Sequence, residues 1–314
     1  MRGREGMTAL VVREITNETP SIVGIRLESP DASPLPAWEP GAHIDVQLIT
    51  RHERQYSLCG DPADTGAYRI AVRREPLSRG GSHYIHSFLR VGSTVWVRPP
   101  RNLFPLGDAS SYLLLAAGIG ITPILSMARH LDATGADWRL VYLARTREDV
   151  AFAQELEALG ARVSTHISNE RGRFDVGQLL RGVGAGTDVY ACGPQGFIDA
   201  IVELDTLLPE ASRLHVERFE PKPREFRPSE AFSVTCARSN VTVTVPADRS
   251  MLEALQGAGV AVRGSCLRGV CGSCALQVLD GAPEHRDSLN TDDASTTIYP
   301  CVSRAVSPGL VVDA

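Results

Sequence analysis

Ser265-Cys-Leu-Arg-Gly-Val-Cys-Gly-Ser-Cys274 places three cysteines at C-x4-C-x2-C spacing, and Cys301 follows after 26 intervening residues in Ile298-Tyr-Pro-Cys301. Two irons bridged by two sulfides need four thiolates to complete their tetrahedral sulfur shells. A short loop wraps three corners and a distant strand end supplies the fourth. Gly264, Gly269 and Gly272 punctuate the loop and let backbone N–H groups approach the sulfurs. Structural zinc and a set of buried free thiols are the alternatives, although zinc sites more often use paired C-x2-C knuckles. The chain has seven cysteines. An odd number without an export signal argues against a disulfide framework. Cys59 and Cys236 sit in strand-like settings and read as core residues.

Outward from this cluster, the chain divides into three segments. Residues 223–314 contain two alternating runs, Phe232–Cys236 and Val241–Val245, whose connection signals a hairpin. One short helix, Met251–Ala258, precedes the cysteines. The segment is expected to be an α+β domain. Residues 108–222 alternate strands (Tyr112–Ala117, Arg139–Leu143, Arg162–Ile167, Asp188–Ala191, Arg213–Glu217) with helices (Pro123–Leu131, Asp149–Leu159, Val176–Leu180, Gln195–Leu208). That order predicts an α/β domain with a parallel sheet. Residues 1–107 read as all-β, with strands at Ser21–Leu27, His43–Ile49, Tyr68–Val72 and Thr94–Val97 separated by turn residues, which predicts an antiparallel sandwich or barrel.

The 314 residues are 43% hydrophobic and 22% charged, with net charge -5. No basic stripe supports nucleic-acid binding. The uncharged run Tyr112–Ala128 is short for a membrane span and is broken by Gly118, Gly120 and Pro123. The N-terminal residues lack the apolar core of a signal peptide, so the expected compartment is the cytoplasm.

Two glycine-bearing turns follow strands of the middle segment. Gly118-Ile119-Gly120-Ile121-Thr122-Pro123 leads into a helix, whose N-terminus favours a pyrophosphate. Cys192-Gly193-Pro194 ends another strand, where open α/β sheets bind ligands. A tight strand–helix turn without a ligand is the alternative for the first, and a small buried core thiol for Cys192.

SCLRGVCGSC and IYPC resemble plant-type [2Fe–2S] ferredoxins, which implies a β-grasp fold for residues 223–314. Arg54-Gln55-Tyr56-Ser57 and Gly80-Gly81-Ser82 resemble the two flavin motifs of the ferredoxin–NAD(P)+ reductase superfamily. The order of flavin barrel, nucleotide domain and C-terminal ferredoxin resembles the phthalate dioxygenase reductase family, including vanillate demethylase reductases. The resemblance implies FMN, NADH and one [2Fe–2S] cluster, the last held by Cys266, Cys271, Cys274 and Cys301. It places Arg54, Gln55, Tyr56, Ser57, Ala71, Val72, Gly80, Gly81, Ser82 and Phe219 at the flavin. It places Gly118, Gly120, Ile121, Thr122, Pro123, Cys192, Gly193 and Pro194 at the nucleotide. Ser57, Cys192 and Glu217 are implied at the flavin–nicotinamide contact.

The activity implied is electron transfer from NADH through the flavin to the cluster and on to a Rieske-type oxygenase or demethylase. An FAD-containing reductase for a cytochrome P450 and a redox-sensing flavin protein are the competing readings. The compact stretch after Gly80-Gly81-Ser82 favours FMN over FAD. Arg145-Thr146-Arg147-Glu148-Asp149 leaves NADH against NADPH open on the residues alone, so NADH rests on the resemblance. Asp280, Glu284, Asp287, Asp292 and Asp293, set against Arg286, read as either a solvated loop or a face that steers a basic partner.

Overall fold

A computed structural model describes residues 5–48, 53–76, 80–222, 225–290 and 294–314. Residues 1–217 and 218–314 form two compact units.

The first unit begins with seven antiparallel strands: β1 (Thr8–Thr19), β2 (Ile22–Glu28), β3 (Ala42–Gln47), β4 (Glu53–Ser57), β5 (Ala67–Arg73), β6 (Thr94–Val97) and β7 (Arg101–Asn102). Their order is β4-β3-β6-β1-β2-β5, with β7 against β3. A bridge between Leu58, just past β4, and Ile70 in β5 joins the first and last strands of that order, curling the sheet into a barrel. Leu10, Ile25, Ile44, Leu58 and Ile70 fill its interior. The structure adds β1, which the sequence reading lacked. Its inside–outside alternation is broken by register shifts at Val12/Glu14 and Asn17/Thr19, and a bulge erases the period of two that marks a strand.

The segment expected to be wholly β also contains a helix, α1 (Gly81–Phe88). Gly80 enters it with φ 98°, a left-handed conformation that glycine takes without steric penalty. Ile85 packs into the barrel core, and the His86 ring is 2.9 Å from the Val72 carbonyl. A Gly-Gly turn is therefore also a helix start. Ile49, the last residue of the expected strand His43–Ile49, lies outside the described residues.

The same unit continues with β8 (Ser111–Ala117), β9 (Trp138–Ala144), β10 (Val163–Ile167), β11 (Thr187–Cys192) and β12 (Leu214–Glu217). They form a fully parallel sheet in the order β10-β9-β8-β11-β12. The strand order reverses between β8 and β11. The crossovers include α2 (Ile121–Thr134), α3 (Ala153–Ala158), α4 (Ser168–Arg171), α5 (Val176–Arg181) and α6 (Gln195–Glu203). The helix expected over Asp149–Leu159 shrinks to α3. Thr146 and Asp149 cap one another around a separate 3-10 turn, and Phe152 takes φ 58° before α3 starts. The helix expected over Gln195–Leu208 stops at Glu203, with a 3-10 turn after it.

Barrel and parallel sheet are joined within this unit by polar contacts. Arg69 of β5 pairs with Glu155 of α3 at 2.6 Å, and Arg129 of α2 donates to the Cys59 carbonyl at 2.6 Å.

The second unit holds β13 (Phe232–Cys236), β14 (Val241–Val245), α7 (Met251–Gly257), β15 (Leu276–Asp280), β16 (Pro283–Glu284), β17 (Thr297–Ile298), β18 (Arg304–Ala305) and β19 (Gly309–Val312). The hairpin falls where the alternation put it. The mixed sheet runs β14-β13-β19-β15-β17, with β19 parallel to β13. Ser250 and Glu253 form a capping box that starts α7, and Met251, Leu252 and Leu255 bury its apolar face against the sheet. Among the described residues no helix is long and apolar enough to cross a membrane.

Candidate functional site

The two nucleotide turns lie at the carboxyl ends of β8 and β11, adjacent strands at the point of reversal. Open α/β sheets bind ligands at that position. Gly118 takes φ 54°. A Cβ on Gly120 would lie 2.2 Å from the Cys192 carbonyl oxygen and 2.6 Å from the Gly193 nitrogen. A Cβ on Gly193 would lie 2.9 Å from the Ala117 Cβ. The turns thus pack backbone to backbone, and only glycine lets them do so. Tyr142 Oη donates to the Gly118 carbonyl at 3.1 Å and Thr122 Oγ1 to the Ile119 carbonyl at 3.0 Å, which fixes the loop. Ile121, Thr122 and Pro123 form the buried first turn of α2. Gly193 and Pro194 lead into α6.

Ala116, Cys192 and Glu217 stand in register across β8, β11 and β12. Cys192 is fully buried, and its Sγ lies 3.9 Å from Glu217 Oε2. Burial, with Glu217 beside it, pushes the thiol well up from its ordinary value. Glu217 keeps some exposed surface, yet its carboxyl is surrounded by protein, and burial raises it to about 8. This is a proton-holding pair at the strand ends beside both glycine turns.

On the barrel, Arg54 and Gly81 come together: a Cβ on Gly81 would sit 3.2 Å from Arg54 Cγ. A guanidinium stem across the N-terminus of α1 suits a phosphate. Ser82 Oγ accepts from the Glu75 amide at 3.1 Å. Val72 belongs to the barrel core, Ala71 is buried beside it in β5, and Val72 is tied to α1 through His86. Tyr56 packs partly against the core, where burial raises its phenol. Gln55 donates to Asp45, and Ser57 is buried opposite His43 in register.

That partner row was missed in the sequence. His43, Asp45 and Gln47 alternate with Ile44 and Val46 along β3, and all five are buried. Arg101 pairs with Asp45 at 2.8 Å. Burial, then Arg101, lowers His43 to about 4, and its Nε2 is buried without a hydrogen-bond partner among the described residues. The alternating A-H-I-D-V-Q was the available signal. An orphaned ring nitrogen beside Ser57 fits a polar ligand edge at this wall of the barrel.

Phe219 belongs to the second unit and is partly buried. In that unit Cys266, Cys271 and Cys274 are buried and Cys301 is half-buried. The thiols group two and two: Cys266 hydrogen-bonds Cys271, and Cys274 hydrogen-bonds Cys301. The first contact holds Cys266 down at about 6 and raises Cys271; the second lowers Cys274 and raises Cys301. Arg268 N–H donates to Cys266 Sγ at 3.3 Å. Among the described residues no three acidic, histidine or cysteine side chains converge on a single metal ion. Two thiol pairs with backbone donors fit a two-iron core, which needs two sulfurs per iron, better than one zinc ion.

The acidic stretch is only partly solvated. Glu284 pairs with Arg286 at 2.7 Å, and Asp287 is 1% exposed. Neither is a free steering charge. Asp292 and Asp293 lie outside the described residues.

Comparison with known proteins agrees with this geometry. Residues 234–306 match the 2Fe-2S iron-sulfur cluster binding domain, and residues 114–203 match the oxidoreductase NAD-binding domain. The chain is 42% identical to the heme-dependent oxidative N-demethylase beta subunit of Ectopseudomonas mendocina, over 90% of this chain and 91% of that one. It is 37% identical to vanillate O-demethylase oxidoreductase of Pseudomonas sp., over 98% and 100%. It is 39% identical to phthalate dioxygenase reductase of Burkholderia cepacia, over 93% and 92%. Among solved structures, phthalate dioxygenase reductase aligns with TM-score 0.72 at 36% identity, over 99% and 98%. An intact type IV self-sufficient cytochrome P450 monooxygenase aligns with TM-score 0.90 at 38% identity, over 98% of this chain but 41% of that longer one. The chain therefore belongs to the phthalate dioxygenase reductase family, as an NADH-dependent electron-transfer oxidoreductase with an NAD-binding domain and a [2Fe–2S] cluster-binding domain.

Proposed function

We propose that the chain is the reductase component of an oxygenase system, and that its partner is a Rieske-type aromatic-ring oxygenase or O-demethylase. The observation that carries the reading is the row Ala116–Cys192–Glu217 beside the two interlocked glycine turns, in a chain that also pairs four thiols. When bound, FMN supplies a centre that takes two electrons and releases them singly, and the cluster supplies a one-electron carrier. Arg54 and the Gly80–Ser82 turn would hold the flavin phosphate, with Tyr56 and Ser57 at its ring. The Gly118–Pro123 turn would hold the NADH pyrophosphate at the N-terminus of α2. Cys192 and Glu217 would face the nicotinamide, where losing a hydride leaves positive charge. Cys266, Cys271, Cys274 and Cys301 would hold the cluster.

Support for the Rieske-type partner is that the vanillate and phthalate relatives align from end to end with this chain. A second reading is a heme-containing partner. It is favoured by the N-demethylase relative and by the fused cytochrome P450 neighbour. Anaerobic NADH titration of the purified protein tests the core reading: flavin and iron–sulfur bands should both bleach. A colourless preparation, or bleaching of the flavin band alone, would refute it. Reconstitution with a Rieske-type demethylase and, separately, a heme demethylase separates the partners. Product formed in step with NADH consumption identifies the right class.

A further inference from the structure

Cys301 and the three-cysteine loop are far apart in sequence, so something must hold the two segments at a fixed separation. Asp287 touches both. Its Oδ2 accepts from Ser303 Oγ at 3.1 Å, two residues beyond Cys301. Its backbone packs on Gly269, in the loop between Cys266 and Cys271: a Cβ there would lie 2.9 Å from Asp287 Cα and 2.6 Å from Val302 Cγ2. Gly269 takes φ 69°, its carbonyl accepts from Ser288 N at 2.9 Å, and its backbone N–H reaches the Cys301 sulfur. Arg286 N donates to Ser303 Oγ at 3.1 Å. The turn around Asp287 is thus wedged between the two cysteine-bearing segments and bonded to each.

The side chain itself is wholly enclosed. Oδ1 accepts from the amides of Leu289 (3.0 Å) and Asn290 (2.7 Å), and Oδ2 also accepts from Asn290 Nδ2 at 3.1 Å. Every one of these partners donates, which is the set an acceptor-only carboxylate requires. Asn290 Nδ2 also reaches His285 Nδ1 at 2.8 Å, and the far ring nitrogen of His285 is 3.0 Å from the Ser295 carbonyl. The nearest ring nitrogen of His285 is 3.8 Å from Asp287 Oδ2. Burying a carboxylate costs free energy, so its retention calls for a local reason, and the wedge is that reason.

We propose that Asp287 is a positioning residue for the iron–sulfur centre: it clasps the Cys266–Cys274 loop to the Cys301 segment, and its fixed charge makes the centre harder to reduce. This rests on the four thiols holding a two-iron cluster. The test uses full-length holoprotein and redox titration followed by visible absorbance. Asp287→Asn keeps the shape and removes the charge. Its cluster midpoint should move to a more positive potential while the flavin midpoint in the same titration stays at the wild-type value. Ser303→Ala cuts the tie to the Cys301 segment and should release iron to a chelator roughly tenfold faster, in line with other outer-shell ligand supports. A fully loaded Asp287→Asn protein with the wild-type cluster midpoint would overturn the inference. If Asp287→Asn yields no folded protein, wild-type iron release from Ser303→Ala would overturn it instead. Wild-type protein without iron would refute the cluster reading itself, a separate failure.

Discussion

Glu217 faces Cys192 across the ends of two parallel strands, carboxyl oxygen 3.9 Å from thiol sulfur, with both groups pushed toward their protonated forms. The carboxyl stands at about 8 because burial disfavours its charge. An ionised Glu217 would stabilise the positive charge that grows on a nicotinamide as hydride leaves. The rate of flavin reduction by NADH should therefore rise through a transition near pH 8. In Glu217→Gln that transition should vanish and the rate above it should fall about tenfold. Stopped-flow absorbance against pH measures both. A wild-type profile flat across this range would remove the role. The same group carries an extra proton in the fold between its ordinary 4.5 and about 8. Its contribution to stability is therefore fully present below 4.5 and is lost as pH rises toward 8. Glu217→Gln should flatten that part of the melting-temperature curve.

Gly120 has backbone on the side where a side chain would go, 2.2 Å from the Cys192 carbonyl oxygen. Gly120→Ala must separate β8 from β11 at their ends. Overpacking of this kind costs about 1–3 kcal/mol. The melting temperature should fall and NADH binding should weaken sharply, while iron content stays unchanged. Calorimetry, a nucleotide titration and an iron assay report the three outcomes.

Arg54 lies over the first residue of α1. A charge-assisted hydrogen bond to phosphate is worth about 1.5–3 kcal/mol. Arg54→Ala should raise the flavin dissociation constant by roughly 10- to 100-fold. Flavin retained through gel filtration is the readout; full retention would argue against a phosphate at this position.

Arg147 follows β9, where dinucleotide folds read the adenosine ribose. Its guanidinium is held by both oxygens of Glu170, at 2.7 and 2.8 Å. A paired arginine is a poor receiver for a 2'-phosphate. Glu170→Gln should release it and raise kcat/KM for NADPH about tenfold, with little change for NADH. Steady-state ferricyanide reduction with each nucleotide tests this.

Much of the architecture was legible because strong periods and glycine punctuation agree with the tertiary contacts. The hairpin 232–245 and the strand before Gly118 are examples. β1 was not legible, since its bulges break alternation. α1 was hidden behind a Gly-Gly pair that starts a helix instead of reversing the chain. For the site, the cysteine spacing was readable as chemistry. The wall behind Ser57 was not, because His43 and Asp45 look like the solvent face of a strand until Arg101 and β4 cover them. Asp287 misled for the same reason: a carboxylate in an acidic run reads as surface, and only its donors reveal it as internal.

The mixed sheet of the second unit has its last strand in sequence near the middle in space: β19 sits between β13 and β15. Strands 73 or more residues apart must meet there, as Ser233 does with Gly309. Such long-range pairing is slow and comes late in folding. On the ribosome, the β13–β14 hairpin and the β15–β17 pair would stay separate until residues 309–312 emerge to join them, so this sheet is completed only after all four cluster cysteines have been made.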